Sequence, residues 1–324
     1  MSRFQLLSDA QWSLIADLLP ARTGKQGRPF RDARQVVEGI IYRYRCGIAW
    51  RDVPAVFGPW QTIWTWHRRM SADGTWDVVL ARLLSAAEAA GVIDWAVAVD
   101  STIARAHQHA TNVTRHTGGW VELHKPRIEP PDHGIGRSRG GLTTTIHHLV
   151  DGAGRPLVVL VSAGQANDAP VFEHLMAHLR VKRPGSGRAR TRPDRVRADK
   201  AYSSRAIRTE LRRRGITTVI PEPSDQIAHR KRRGPRGGRP PAFDAADYKW
   251  RNVIERGFNS VKQWRGLATR YDKLAITYRA AVVLHAITIW TAHLSDTPQR
   301  GFAPARPGVW RWFGGARRLG SAGL

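Results

Sequence analysis

The sequence predicts a mixed α/β protein with an all-helical N-terminal part. Three observations carry this. Apolar residues recur at helical spacing up to about residue 90. After Gly91 the pattern turns to short alternating or continuous apolar runs, the mark of strands. From there strands and helices alternate to about residue 294. A chain of 324 residues is long enough for about two domains. The expected division is a helical domain at 1–92, an α/β domain at 93–295 and a tail at 296–324.

Residues 7–20 predict a helix, with Ser8 or Asp9 as cap and Pro20 just beyond its end. Residues 21–30 form a Gly/Arg/Pro loop. Residues 31–46 predict a second helix, with Val36, Val37, Ile40, Ile41 and Tyr44 on one face and Gly47 as its stop. Two short helices, 50–57 and 60–70, flank a Gly58-Pro59 turn, and another spans 75–90. The flanking pair suggests a helix-turn-helix. Its second helix would offer Gln61, Thr62 and Thr65 to a DNA major groove, and Arg68 and Arg69 to phosphates. Trp60, Trp64 and Trp66 are expected in the core.

Beyond Gly91, residues 95–99 predict a buried strand ended by Asp100. Residues 107–140 read as a loop rich in Gly, His and Arg. Residues 141–150 and 155–163 predict a hairpin across 151–154. A helix follows at 168–180, capped by Asn167 or Asp168. A basic loop fills 181–193, and a short strand, 194–198, ends at Asp199. A helix at 203–214 and a strand at 216–220 come next. Residues 222–245 contain HRKRRGPRGGRPP, a low-complexity basic segment expected to lack fixed structure until phosphate orders it. Helices close the chain at 248–264 and 276–294.

The net charge is +26, from 52 basic and 26 acidic residues. It is concentrated: residues 181–240 hold 19 basic and 5 acidic side chains. Such an excess favours a polyanionic partner, most simply nucleic acid, and its arginines suit forked phosphate contacts. The single cysteine, Cys46, excludes an internal disulfide and argues against cysteine-built zinc sites. No apolar run reads as membrane-spanning, and the first residues lack the apolar segment of a signal peptide. A cytoplasmic protein is expected.

One stretch, Tyr248 to Lys273, organises the functional reading. At 100° per residue Arg251, Glu255 and Lys262 fall within about 40° of one another, and Tyr248 lies about 20° beyond Glu255. Trp250, Val253, Ile254, Phe258 and Val261 fill the adjoining sector and would pack on a core. Asp100 and Asp199 supply two further carboxylates from separate elements. Phosphodiester hydrolysis needs an in-line nucleophile and charge stabilised on the entering and leaving oxygens. Two divalent ions about 3.5–4 Å apart do both, and they prefer hard oxygen ligands. His107, His109, His116, His124 and His133 match no compact ligand set. Arg137 and Arg139, set between glycines, would reach a DNA backbone.

The order of strands and helices, with these acids on them, resembles a ribonuclease-H-like fold. The spacing Y-(2)-R-(3)-E-(6)-K of Tyr248, Arg251, Glu255 and Lys262 resembles that of IS4 and IS5 transposases. VDST at 99–102, GRSRGGLTTTIH at 136–147, AGQANDAPVF at 163–172 and ADKAYSS at 198–204 look like the IS5 family in particular. The resemblance spans residues 1 to about 295. It implies a bacterial insertion-sequence transposase in which Asp100, Asp199 and Glu255 bind two Mg2+ ions, with Mn2+ able to substitute. It implies that Arg251, Lys262 and Arg265 hold DNA phosphates and that Tyr248 shapes the edge of the site. The N-terminal helices would recognise terminal inverted repeats. The protein would work near the nucleoid as a homodimer or higher oligomer on double-stranded end and target DNA. Thr145 departs from the basic residue expected before Ile-His, which puts one DNA contact in doubt. The rival readings are an idle, transposase-derived DNA-binding regulator, a stand-alone nuclease of the same fold, and an RNA-binding basic protein.

Overall fold

The computed structural model describes residues 6–20, 32–114, 120–122 and 133–296. The predicted loop at 21–30, His116, His124, Trp310, Trp312 and the tail from 297 onward lie outside the described residues. Helix α1 (Asp9–Ser13) starts with a capping box between Ser8 and Gln11. The single helix expected over 7–20 is in fact two pieces, because Ile15 leaves helical geometry at φ −128° to bury its side chain before a 3-10 turn at Ala16–Leu18. Helix α2 (Ala33–Cys46) is capped by Asp32 and stopped by Gly47 at φ 68°. It buries the five predicted apolar residues.

Helices α3 (Trp60–Ala72) and α4 (Thr75–Ala89) complete this part. The α-helix expected at 50–57 is absent. Two 3-10 turns, Trp50–Asp52 and Ala55–Phe57, stand there, separated by Pro54, which cannot supply an interior helical N–H. A helix-turn-helix built from 50–57 and 60–70 is therefore not formed, and α3 packs instead on α2. Ile63, His67 and Met70 are the buried face of α3. Trp60 and Trp64, expected in the core, are each 37% exposed, and Trp66 is half-buried.

The main strands of the seven-stranded sheet are β1 (Ala96–Ala106), β2 (Gly141–Val150), β3 (Pro156–Ala163), β4 (Arg195–Ala198) and β5 (Thr217–Val219), with the short pieces Gly136–Ser138 on β2 and Thr269–Arg270 on β1. Their order across the sheet is β3-β2-β1-β4-β5. Strand β2 is antiparallel to both neighbours, whereas β4 and β5 run parallel to β1. Helix α5 (Asp168–His178) follows β3, and α6 (Arg205–Arg213) links β4 to β5. Helices α7 (Ser224–Arg232), α8 (Asn252–Gln263) and α9 (Ala275–Asp296) follow. The predicted succession of strands and helices is present, with α7 added. That helix and a 3-10 turn at Gly234–Gly237 replace the structureless segment expected at 222–245.

Two corrections bear on the site. Asp100 does not end its strand: β1 runs on to Ala106 because β2 pairs with it as far as Arg105–Thr143. The stretch from Tyr248 to Lys273 is not one helix. Lys249–Arg251 is a 3-10 turn, α8 ends at Gln263, and Thr269–Arg270 pairs with β1. Three residues per turn, against 3.6, rotate Trp250 off the apolar stripe, and the residue is 62% exposed. Val253, Ile254, Phe258 and Val261 are buried as expected.

Contrary to the expectation that no apolar run reads as membrane-spanning, helix α9 is long and apolar enough to cross a membrane by length and composition. Here it is the central core helix, packed on α4, α3, α1 and β3. One apolar cluster therefore runs from Leu7 to Leu294 through both parts of the chain. Polar ties reinforce it. The Tyr44 hydroxyl donates to buried Asp272 at 3.0 Å, and Arg43 pairs with the same carboxylate at 3.4 Å. Asp272→Ala leaves the buried Arg43 uncompensated and is expected to cost about 3 kcal/mol. Urea unfolding checks this, and an unchanged midpoint would refute it.

Candidate active site

Asp100 pairs across the sheet with His148, and Ala98 with Val150. Residues directly opposite share a face. On that face α8 lays Val253, Ile254 and Phe258 against Ala98 and Val150. The stripe thus seats α8 so that its N-terminal turn overhangs Asp100. Arg251 Nη1 lies 2.5 Å from Asp100 Oδ2, and Arg251 Nη2 lies 2.5 Å from Glu255 Oε1. Asp199 follows Ala198, whose register partner on β1 is Val99. Asp100 and Asp199 thus occupy the next rung of adjacent strands, spaced about 4.8 Å apart. The Asp199 carboxylate accepts from the Ala201 N–H and so caps the turn that follows it.

Burial holds the Asp100 carboxyl above the usual carboxylate range, and the charge of Asp199 adds to it. The Ser101 N–H, at 2.8 Å, and Arg251 oppose that shift. Two of the three carboxylates, Asp100 and Glu255, thus share one guanidinium, and Asp199 follows the neighbouring strand. Among the described residues no three His, Cys, Asp or Glu side chains close into a ligand cage, and Arg251 stands between Asp100 and Glu255. The donor set nonetheless suits hard divalent cations. It is all carboxylate, Glu255 is exposed, and a cationic group already bridges two of the three.

Around this centre, Tyr202 is buried with no hydrogen-bond partner for its hydroxyl among the described residues. Burial raises its pKa, and the charges of Asp168, Asp100 and Asp199 add to the effect. Asp168 lies 3.6 Å from His147, the neighbour of His148 on β2. The capping role expected of Asn167 is not fulfilled, since its side chain makes no cap bond and Asp168 sits in the first turn of α5. His148, the cross-strand neighbour of Asp100, lies 5.2 Å from Phe258 between ring centroids at a tilt of 38°. Neither Tyr202 nor His148 was legible as part of the site. The only available signals were that Tyr202 follows Asp199 by three residues and that His148 interrupts an apolar strand.

His148, His67 and His285 are buried, and burial lowers them to about 3, about 4 and about 4. Each folded value lies below the unfolded one, so the unfolded chain takes up protons first. Stability from these groups is full above about pH 6.5 and is lost as pH falls toward 4. A stability series at fixed ionic strength should decline across that window, and a flat profile would refute it.

The other predicted residues divide. Tyr248 lies beside Arg251, whose guanidinium carbon is 5.8 Å from its ring, and packs on Phe243. Lys262 is exposed about 10 Å along α8 from Glu255. Arg265 lies beyond the break after α8, packed so closely on Gly47 that a Cβ there would meet it at 2.7 Å; the structure does not bring it to the carboxylates. Arg137 and Arg139 are exposed on the turn at the far end of β2, about 17 Å along β1 from Asp100. Gln61, Thr65, Arg68 and Arg69 are exposed on α3, and Thr62 is half-buried. Thr145 is buried opposite Ile103, so that position offers no exposed contact. His107 stacks on Tyr271 and His109, and His133 is buried against the Ala110 carbonyl.

Comparison with known proteins places this arrangement. A family described as "Transposase DDE domain" matches residues 93–290, which include all three carboxylates. A second, described as "Putative transposase of IS4/5 family", matches residues 7–80. The chain belongs to the IS4/IS5 family of DDE transposases. Relatives match parts of it. An uncharacterized protein, y4sN, of Sinorhizobium fredii is 35% identical over 36% of this chain and 94% of its own length. A putative transposase for insertion sequence element IS6501 of Brucella ovis is 29% identical over 46% of this chain and 98% of its own. A putative transposase for IS402 of Burkholderia cepacia is 30% identical over 43% of this chain and 58% of its own. No solved structure matches. This DDE transposase is thus the transposase of an insertion sequence, of a family that acts on DNA and in general depends on divalent metal.

Proposed function

We propose that this transposase cuts the ends of its insertion sequence with water and joins the freed 3′-hydroxyls to target DNA, both in the site of Asp100, Asp199 and Glu255. The observation that carries the reading is that Asp100 and Glu255 share the Arg251 guanidinium while Asp199 stands at the end of the strand beside Asp100. The strand order, with only β2 reversed, supports a ribonuclease-H-like domain at 93–295. Asp100, Asp199 and Glu255 would hold two Mg2+ ions, or Mn2+ in their place. Such ions supply charge stabilisation at the entering and leaving oxygens.

The chain's own residues do the rest. Half-buried Asp100, disfavoured as an anion, gains most from a nearby cation. Glu255, exposed on α8, is free to adjust toward a substrate. Arg251 neutralises two carboxylates before DNA arrives, and its fork suits a phosphate thereafter. Tyr248 closes the edge beside it, and Lys262 offers a point charge farther along the strand. In the helical part, assigned here as a DNA-binding domain at 1–92, Gln61, Thr62 and Thr65 would read the terminal inverted repeats, and Arg68 and Arg69 would hold their backbone. Arg137, Arg139 and Arg265 are assigned to more distant phosphates. Two ends must be paired, which requires a dimer or larger assembly, and the work is placed in the cytoplasm at the nucleoid.

Labelled duplex ends incubated with Mg2+ should be nicked and then joined to target DNA, whereas EDTA should stop both. Nicking without joining would make the protein a nuclease, and binding without nicking a regulator.

A further inference from the structure

Beside Asp199 lies a second cationic site that the reaction does not account for. Helices α6 and α7 face each other across a groove of about 430 Å³. Arg205 and Arg212, seven residues apart on one face of α6, form one wall. His229, Arg233 and Arg239 form the other, and Ser203 and Arg208 the floor. Glu222 is the one carboxylate in the lining, and Arg230 already pairs with it. Among the described residues no carboxylate pairs with Arg205, Arg208, Arg212, Arg233 or Arg239.

The groove is constructed rather than incidental. Gln226 of α7 donates to the Ser203 carbonyl at 2.7 Å and accepts from its hydroxyl at 3.1 Å. Arg208 donates to the Ser203 hydroxyl at 2.9 Å and to the Ile220 carbonyl at 2.8 Å. These bonds fix α7 and α6 to the turn that Asp199 caps. Like charges are therefore held facing one another, an arrangement that costs stability unless an anion fills the gap.

We propose that this groove holds the phosphate backbone of DNA, at phosphates within about three nucleotides of the one being cut. Ser203 is four residues from Asp199, so the floor is on the order of 10 Å from the carboxylate, a span of about three nucleotides at ~3.4 Å rise. The forked arginines read charge and not sequence. The segment from Glu222 to Pro241 thus contributes a basic wall, tied down at Gln226, beside the turn that Asp199 caps. This inference rests on the transposase reading given above.

The test is binding of full-length protein to labelled duplex ends across a salt series. Arg205→Ala/Arg212→Ala and Arg233→Ala/Arg239→Ala should each weaken binding about tenfold and reduce the slope of log affinity against log salt by about 2. The loss should be equal on end DNA and random DNA. Arg213→Ala, which removes an arginine paired with Glu210 outside the groove, should change neither. In the unaltered protein, DNA should protect these arginines from phenylglyoxal. Unchanged slopes with no protection overturn the groove while leaving the transposase reading intact. A loss confined to end DNA overturns the backbone assignment. Absence of any duplex binding by the unaltered protein overturns both.

Discussion

Asp100→Asn is expected to abolish end cleavage while leaving the protein as stable as the unaltered chain, or more so. The activity loss should be on the order of a thousandfold or greater, equivalent to about 4 kcal/mol of barrier, since an amide cannot hold a divalent cation as a carboxylate does. The stability side follows from the direction of the Asp100 shift. Burial and the neighbouring Asp199 hold its carboxyl above the ordinary value, even with Arg251 beside it. A raised carboxyl in the folded state means that ionising it opposes folding. That cost is full above the folded value, shrinks as pH falls through it and is gone below the unfolded value. The neutral amide removes it, while Arg251 keeps Glu255 as a partner. Single-turnover nicking and urea unfolding at pH 7 measure the two effects. Retained cleavage would remove Asp100 from the chemistry. A clear loss of stability would show that the Arg251 pair outweighs burial.

How far this site could be read from the sequence depends on which interactions are local. The apolar stripe of α8 was legible because it is a 3.6-residue pattern within one element, and it correctly put Arg251 and Glu255 on a common face. Asp199 was legible because β4 is short, and the alternation of Val196 and Ala198 with Arg195 and Arg197 stops just before it. The place of Asp100 within β1 was not, because the strand is extended by pairing with β2, some forty residues away. Trp250 was misplaced because a 3-10 turn changes the angular step without changing the composition. The helix expected at 50–57 is split by Pro54, a local effect that the apolar spacing does not carry. The basic segment read as structureless because its arginines offer little to bury. What fixes α7 is the pair of bonds between Gln226 and Ser203, a contact with no periodic signature.

Arg251→Ala should expose the role of the carboxylates most directly. In the present arrangement one guanidinium serves both Asp100 and Glu255. Deleting it leaves two carboxylates near each other, one of them mostly buried, with Asp199 on the adjacent strand. The expected cost is about 2 kcal/mol, below that of a fully buried pair because Glu255 is open to water. The same deletion vacates the gap that a divalent ion would fill. Added Mg2+ should therefore raise the melting temperature of Arg251→Ala progressively, recovering about 2.7 kcal/mol at a hundredfold excess over its dissociation constant. The unaltered protein should respond less at equal concentration, because there the ion must displace Arg251. Matched ionic strength in NaCl separates specific binding from screening. Adding Glu255→Gln to the variant should remove most of the rise. A variant that melts lower but ignores Mg2+ would mean that these acids are an ion-pair network and not a metal site.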